Sequence, residues 1–159
     1  MSDPAVSIGD TSRSNPEEVS PMYDRLLMAV DRSDVTERVV NAAREMASLS
    51  KGEVWVLHVQ EKEVMPRGGV FVVESAEEAR SAAEHAAQEL DDAGIKSHYE
   101  VRTAIRGQTA REIVAIARAH DADVIVMGSR GRTGMIGVML GSTAHQVIHL
   151  SDRPVLVVR

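Results

Sequence analysis

The sequence predicts an α/β domain built on an open parallel sheet, and three observations predict it. Short unbroken apolar runs, such as Arg25 to Val30 (RLLMAV) and Asp123 to Met127 (DVIVM), read as strands buried on both faces. The stretches between them repeat their apolar residues at helical spacing. The two patterns alternate to the end of the chain, which implies βαβ units with right-handed crossovers.

The elements follow in order. The first strand, Arg25 to Val30, ends at Asp31-Arg32-Ser33, where Ser33 and Asp34 are both candidate helix N-caps. Val35, Val39, Ala42, Ala43, Met46 and Leu49 then form one inward helix face, stopped by Lys51 and Gly52. Val54 to Val59 is the second strand, and residues 60–74, with Pro66, Gly68 and Gly69, read as a loop. Ser75 and Glu78 have capping-box spacing, ahead of a helix lined by Ala79, Ala83, Ala86 and Leu90 and ended by Gly94. Ser97 to Thr103 alternates weakly, as an edge-like third strand does. Thr109 and Glu112 repeat the capping-box spacing before a helix that turns Ile113, Val114 and Ala117 inward. The fourth strand runs into a glycine-rich loop, a last helix begins near Ser142, and Arg153 to Val158 is the fifth strand.

Composition narrows the class. A chain of 159 residues with 43% hydrophobic residues supports one cored domain, and 3% aromatics make that core aliphatic and alanine-rich. The absence of cysteine excludes disulfides, thiolate catalysis and Cys-based zinc sites, and is compatible with a reducing compartment. A net charge of -6 argues against a general nucleic-acid binder. No apolar run approaches the ~20 residues that span a membrane. Residues 1–21 lack an apolar signal core and read as a flexible leader, leaving 22–159 as the domain.

Ligands of open parallel sheets bind beyond the strand carboxyl ends, where strand order reverses. After the fourth strand come Gly128, Gly131, Gly134, Gly137 and Gly141 in one short stretch, with Arg130 and Arg132 and no acidic residue. Glycine lets backbone amides approach an anion, and the loop delivers the chain to a helix start at Ser142 and Thr143. These features make a phosphate cradle; the loop alone reads equally as a loose connection with Ser142 as a simple cap. Asp31 stands across the crevice, suited to a ribose hydroxyl or a metal. The loop is neither a Walker A sequence nor a dinucleotide fingerprint, since Gly-Lys-Ser/Thr and Gly-x-Gly-x-x-Gly are both absent.

The spacing Gly-x2-Gly-x9-Gly-Ser, through Gly128, Gly131, Gly141 and Ser142, resembles the ATP-binding signature of the universal stress protein family. The Asp31-x-Ser33 turn, the Leu57-His58-Val59 strand end and the closing Pro154 to Val158 also resemble it, over about Tyr23 to Arg159. Arg32 departs from the family pattern, standing where a glycine is common. The resemblance implies five parallel strands in the order 3-2-1-4-5 with helices on both faces, an adenine nucleotide alpha-hydrolase-like arrangement. It implies ATP, with Mg2+ or Mn2+, held by Ala29, Asp31, Ser33, Val59, Met127, Gly128, Arg130, Gly131, Gly141, Ser142 and Thr143. Within that set, the backbone near Val59 meets adenine, Asp31 the ribose, and Gly131, Gly141, Ser142 and Thr143 the phosphates. It further implies a cytoplasmic homodimer joined through the last strand, Val155 to Val158.

Among other residues, His58 reads as a satisfied core or loop group, and His145 with His149, four apart on one helix, as structural or surface groups. No nucleophile, base and orienting group stand together, which favours nucleotide binding with at most slow hydrolysis. A dimeric module that binds no ATP, or binds AMP or cyclic AMP, is the alternative. A related nucleotide-transferring enzyme is disfavoured, because its Ser-Gly-Gly-x-Asp-Ser and His-x-Gly-His elements are missing.

Overall fold

The computed structural model describes residues 22–130 and 140–159. The expected leader, 1–21, and the loop residues 131–139, Gly131 among them, lie outside the described residues. The described chain forms strands β1 (Arg25–Val30), β2 (Glu53–Val64), β3 (Val70–Val72), β4 (Ser97–Ile105), β5 (Val124–Gly128) and β6 (Val155–Val158). Its helices are α1 (Thr36–Ser50), α2 (Ala76–Asp92), α3 (Thr109–Ala119) and α4 (Ser142–Leu150).

The sheet is six-stranded and mixed, which corrects the expectation of five purely parallel strands. Its hydrogen-bonded neighbours connect as β3-β2-β1-β5-β6, and β4 also pairs with β2 along its other edge. The pairs β4·β2, β2·β1, β1·β5 and β5·β6 are parallel, while β3 is antiparallel to the end of β2. Residues 60–74, read as a loop, instead extend β2 to Val64 and return through β3 as a hairpin. The cause is legible in the exposure pattern. This hairpin buries little: Val64, Val70 and Phe71 are exposed, and its apolar stretch, Val70 to Val73, is short and follows Gly68 and Gly69.

Strand alternation sends side chains into two cores. Leu26, Met28, Val54, Val56, Val124 and Val126 meet Val39 and Ala43 of α1 and Ala83 and Leu90 of α2. Leu27, Leu57, Ile125 and Met127 meet Ile113 and Ala117 of α3 and Ala144 and Val147 of α4 on the other face. The small alanines let the helices lie close to the sheet, and fully burying each Leu or Ile contributes roughly 1.5–3 kcal/mol. Leu49, expected inward, is 88% exposed at the last turn of α1.

Helix ends differ from the sequence reading in two places. The N-cap of α1 is Val35, without a side-chain cap, so neither Ser33 nor Asp34 caps it. The N-cap of α3 is Gln108, and the Thr109 hydroxyl donates to Glu61 Oε1 at 2.6 Å instead of capping. The Ser75–Glu78 capping box of α2 is formed in both directions.

The fold's consequence for a site lies at two neighbouring strand ends. The chain leaves β1 for α1 on one face and leaves β5 for α4 on the other. The carboxyl ends of β1 and β5 therefore flank a crevice between diverging connections.

Candidate functional site

A cleft of about 360 Å3 opens at that crevice. Ala29, Asp31, Ser33, Val59, Met127, Gly128, Arg130, Gly141, Ser142 and Thr143 all line it. Gly131 lies outside the described residues. Residues more than a hundred positions apart in the chain are thus brought to one cavity by the adjacency of β1 and β5.

The β1 side is a pinned turn. Asp31 Oδ1 accepts from the Ser33 backbone N–H at 3.0 Å and lies 3.1 Å from the Thr36 hydroxyl. That hydroxyl also sits 2.6 Å from the Asp31 carbonyl oxygen. One carboxylate oxygen is therefore spent on holding the turn (a local bond typical of Asp after a strand), and the other oxygen is not needed for it. Ser33 Oγ is buried without a hydrogen-bond partner among the described residues, which leaves polar capacity at the cleft wall. Arg32, at the position that departs from the family pattern, reaches away to Glu78 on α2, donating from Nη1 at 3.0 Å.

The β5 side is a staple. Ser129 donates its backbone N–H to Val158 O, and Gly141 donates its own to Ser129 O, both at 2.7 Å. The chain that departs after Arg130 is thereby brought back beside its point of departure, setting α4 at the cleft. Gly141 is the N-cap of α4, with no side-chain cap and no acidic residue in the first turn. The leading amides of α4 and its positive dipole end are left to an anion. By contrast α2 closes its own N-terminus with Ser75 and carries Glu77 and Glu78 in its first turn. At Gly128 an added Cβ would stand 3.3 Å from Arg130 O and 3.5 Å from Val35 Cγ1, so the backbone there is closely approached from two sides.

The third wall is β2. Pairing with β1 ends at His58, and pairing with β3 begins at Lys62. Because β4 occupies the opposite edge up to Lys62, β3 must lie on the β1 side. The edge of β2 over Val59 to Glu61 is consequently unpaired by either strand and borders the cleft. Backbone donors and acceptors at such an edge can read the polar rim of a flat ring.

Several further groups stand beside the expected site residues. Thr36, Glu61, Lys62, Glu63, Glu74, Arg106 and Thr109 also line the cleft. Glu61 is held by Thr109, and Glu63 accepts from Arg106 Nη1 at 3.2 Å. His58 is buried, with Nδ1 3.1 Å from Val30 O and Nε2 2.7 Å from Glu74 Oε1, a satisfied core group as expected. Glu74, between the unrecognised β3 and α2, is held at this wall by His58 and by Gln60, whose Nε2 donates to its carbonyl oxygen at 2.8 Å. Among the described residues no three His, Asp or Glu side chains cluster as metal ligands. No helix among them is long and apolar enough to cross a membrane.

Comparison with known proteins gives a consistent result. Residues 22–159 match the universal stress protein family. The universal stress protein YxiE of Bacillus subtilis is 31% identical, over 87% of this chain and 100% of its own. The structure of MJ0577, a universal stress protein of Methanocaldococcus jannaschii, superposes with a TM-score of 0.71 at 30% identity, covering 86% of this chain and 96% of that one. A universal stress protein of Archaeoglobus fulgidus, solved in complex with dAMP, superposes with a TM-score of 0.66 at 29% identity, covering 87% and 99%.

Proposed function

The chain belongs to the universal stress protein family, and we propose that its cleft binds ATP with Mg2+ or Mn2+, making it a nucleotide-responsive stress-response module. The observation that carries this reading is the uncapped, acid-free N-terminus of α4 facing the unpaired edge of β2 across one cleft. One end suits phosphates and the other suits a base. Val59 and its backbone neighbours take the adenine. The Asp31 carboxylate accepts from a ribose hydroxyl, and Ser33 adds its hydroxyl beside it. Gly128 allows the sugar close approach, and Arg130, Gly131, Gly141, Ser142 and Thr143 receive the phosphates. Ala29 and Met127 are the apolar floor. The divalent ion rides on the phosphates. The dAMP complex of the Archaeoglobus fulgidus relative supports an adenine nucleotide as the ligand class.

Hydrolysis is slow at most in this account. The candidate bases at the cleft are already engaged: His58 with Val30 and Glu74, Glu61 with Thr109, Glu63 with Arg106. The module acts in the cytoplasm as a homodimer through β6. That strand pairs only with β5 among the described residues and has Leu156 exposed.

Backbone amide NMR tests the reading. Addition of ATP and Mg2+ should shift the Val59, Gly128, Gly141, Ser142 and Thr143 amides and leave in place those at the Asp92 end of α2, which lies by the amino end of β4. A response confined to Val59 and Asp31 with AMP and ATP alike would favour the alternative, a module that reads the nucleoside or a monophosphate. No response at these amides would refute the site.

A further inference from the structure

Outside the cleft, α4 carries a second constellation. His145 and His149 are both exposed and four residues apart on the helix. That spacing stacks them on one face. Their Nε2 atoms lie 3.3 Å apart, with ring centroids at 4.5 Å and ring planes at 62°. Two imidazole nitrogens bound to one tetrahedral Zn2+ at ~2.0–2.1 Å stand roughly 3.3–3.4 Å apart. The pair is thus already set at the edge length of a metal tetrahedron. Without a cation only one Nε2–H can donate to the other's lone pair. With one, both lone pairs are used.

We propose that His145 and His149 form a two-imidazole site for a borderline divalent cation such as Zn2+, Ni2+ or Cu2+. No third His, Asp or Glu stands with them among the described residues, so water completes the coordination and the cation exchanges freely. Imidazole donors select these ions over Mg2+, which prefers oxygen ligands and belongs with phosphates. The site is therefore separate from the nucleotide's ion in both place and chemistry. A bound cation cross-links two successive turns of a helix only nine residues long, a length that is marginal by itself.

The test uses the full chain without a polyhistidine tag, stripped with chelator. Calorimetric titration with Zn2+ should find one site per chain. His145→Ala and His149→Ala should each lower the affinity by about tenfold or more, since even the outer-shell partners of metal ligands carry that much. His85→Ala, an exposed histidine on α2, should change nothing. With Cu2+, electron paramagnetic resonance should resolve two imidazole nitrogens in the wild type and one in either variant. An untitratable wild type, single variants that bind within twofold of it, or a two-nitrogen pattern that survives His149→Ala would overturn the proposal.

Discussion

Nε2 of His58 lies 2.7 Å from Oε1 of Glu74, with the two side chains only 2% and 3% exposed. Nδ1 of the same ring faces the Val30 carbonyl, which can only accept, so Nδ1 carries a proton and donates it. The ring thus bridges the Val30 carbonyl and the Glu74 carboxyl. The pair ties the end of β1 to the segment that enters α2, across the back of the cleft. His58→Ala should destabilise the protein by about 3 kcal/mol, the scale for breaking a buried pair. Glu74→Gln, whose amide can donate to Nε2, should cost no more than about 1 kcal/mol. Urea unfolding of both variants checks this; equal losses would mean that packing, not the hydrogen bond, holds the wall.

Asp31 holds the turn, and in the proposed site it also meets the ligand. Its Oδ1 holds Ser33 and Thr36, and an asparagine oxygen can do the same. Asp31→Asn should keep the unfolding midpoint near the wild-type value while weakening ATP by about tenfold, the difference between a charge-assisted and a neutral hydrogen bond. Asp31→Ala should lose both, with about 1 kcal/mol of stability from the turn. A variant Asn that binds ATP as well as wild type removes Asp31 from the ribose.

Gly52 is required by space. A Cβ there would stand 2.6 Å from Tyr23 O and 2.7 Å from Asp24 O, both backbone atoms that cannot swing aside. The positive φ that ends α1 belongs to Lys51, at 56°, not to Gly52. Gly52→Ala should therefore cost roughly 1–3 kcal/mol by overpacking where β1 and β2 begin. Lys51→Gly should be neutral or mildly stabilising. Thermal unfolding compares the two directly.

The carboxyl of Glu78 is held below the usual carboxylate range. The backbone N–H of Ser75 donates to it first, with the Ser75 side chain and Arg32 adding to the effect. A group whose folded pKa is depressed stabilises the fold fully above its unfolded value of about 4.3 and loses that contribution as pH falls through the lower folded value. Acid should therefore narrow the gap between wild type and Glu78→Gln in urea midpoints measured from pH 7 to pH 3. A gap that widens in acid contradicts the sign.

What the sequence discloses follows from what is buried. β1 was bounded at Arg25 and Val30, since its central residues are wholly buried and nothing else competes for that pattern. The Ser75–Glu78 box was equally readable, because a cap is local. The β2–β3 hairpin is not, because its residues are mostly exposed and so carry no inward-facing pattern. Its absence from the sequence reading also hid Glu74, Lys62 and the unpaired edge of β2. Thr109 shows the limit of motif spacing: Glu112 stands at the right distance, yet the helix starts one residue earlier, at the Gln108 cap, and the Thr109 hydroxyl donates to Glu61 on a neighbouring strand. The ten described site residues named from sequence do line one cleft, since strand adjacency, not side-chain detail, brings them together.

If the cleft holds ATP, calorimetric titration of nucleotide-stripped protein with ATP and Mg2+ should find about one ATP per chain. Ser142→Ala should then weaken binding by roughly ten- to a hundredfold, the loss of one charge-assisted hydrogen bond of about 1.5–3 kcal/mol. Absence of both heat and thermal shift with ATP, ADP, AMP and cyclic AMP would contradict ATP binding, leaving the fold in place without the nucleotide.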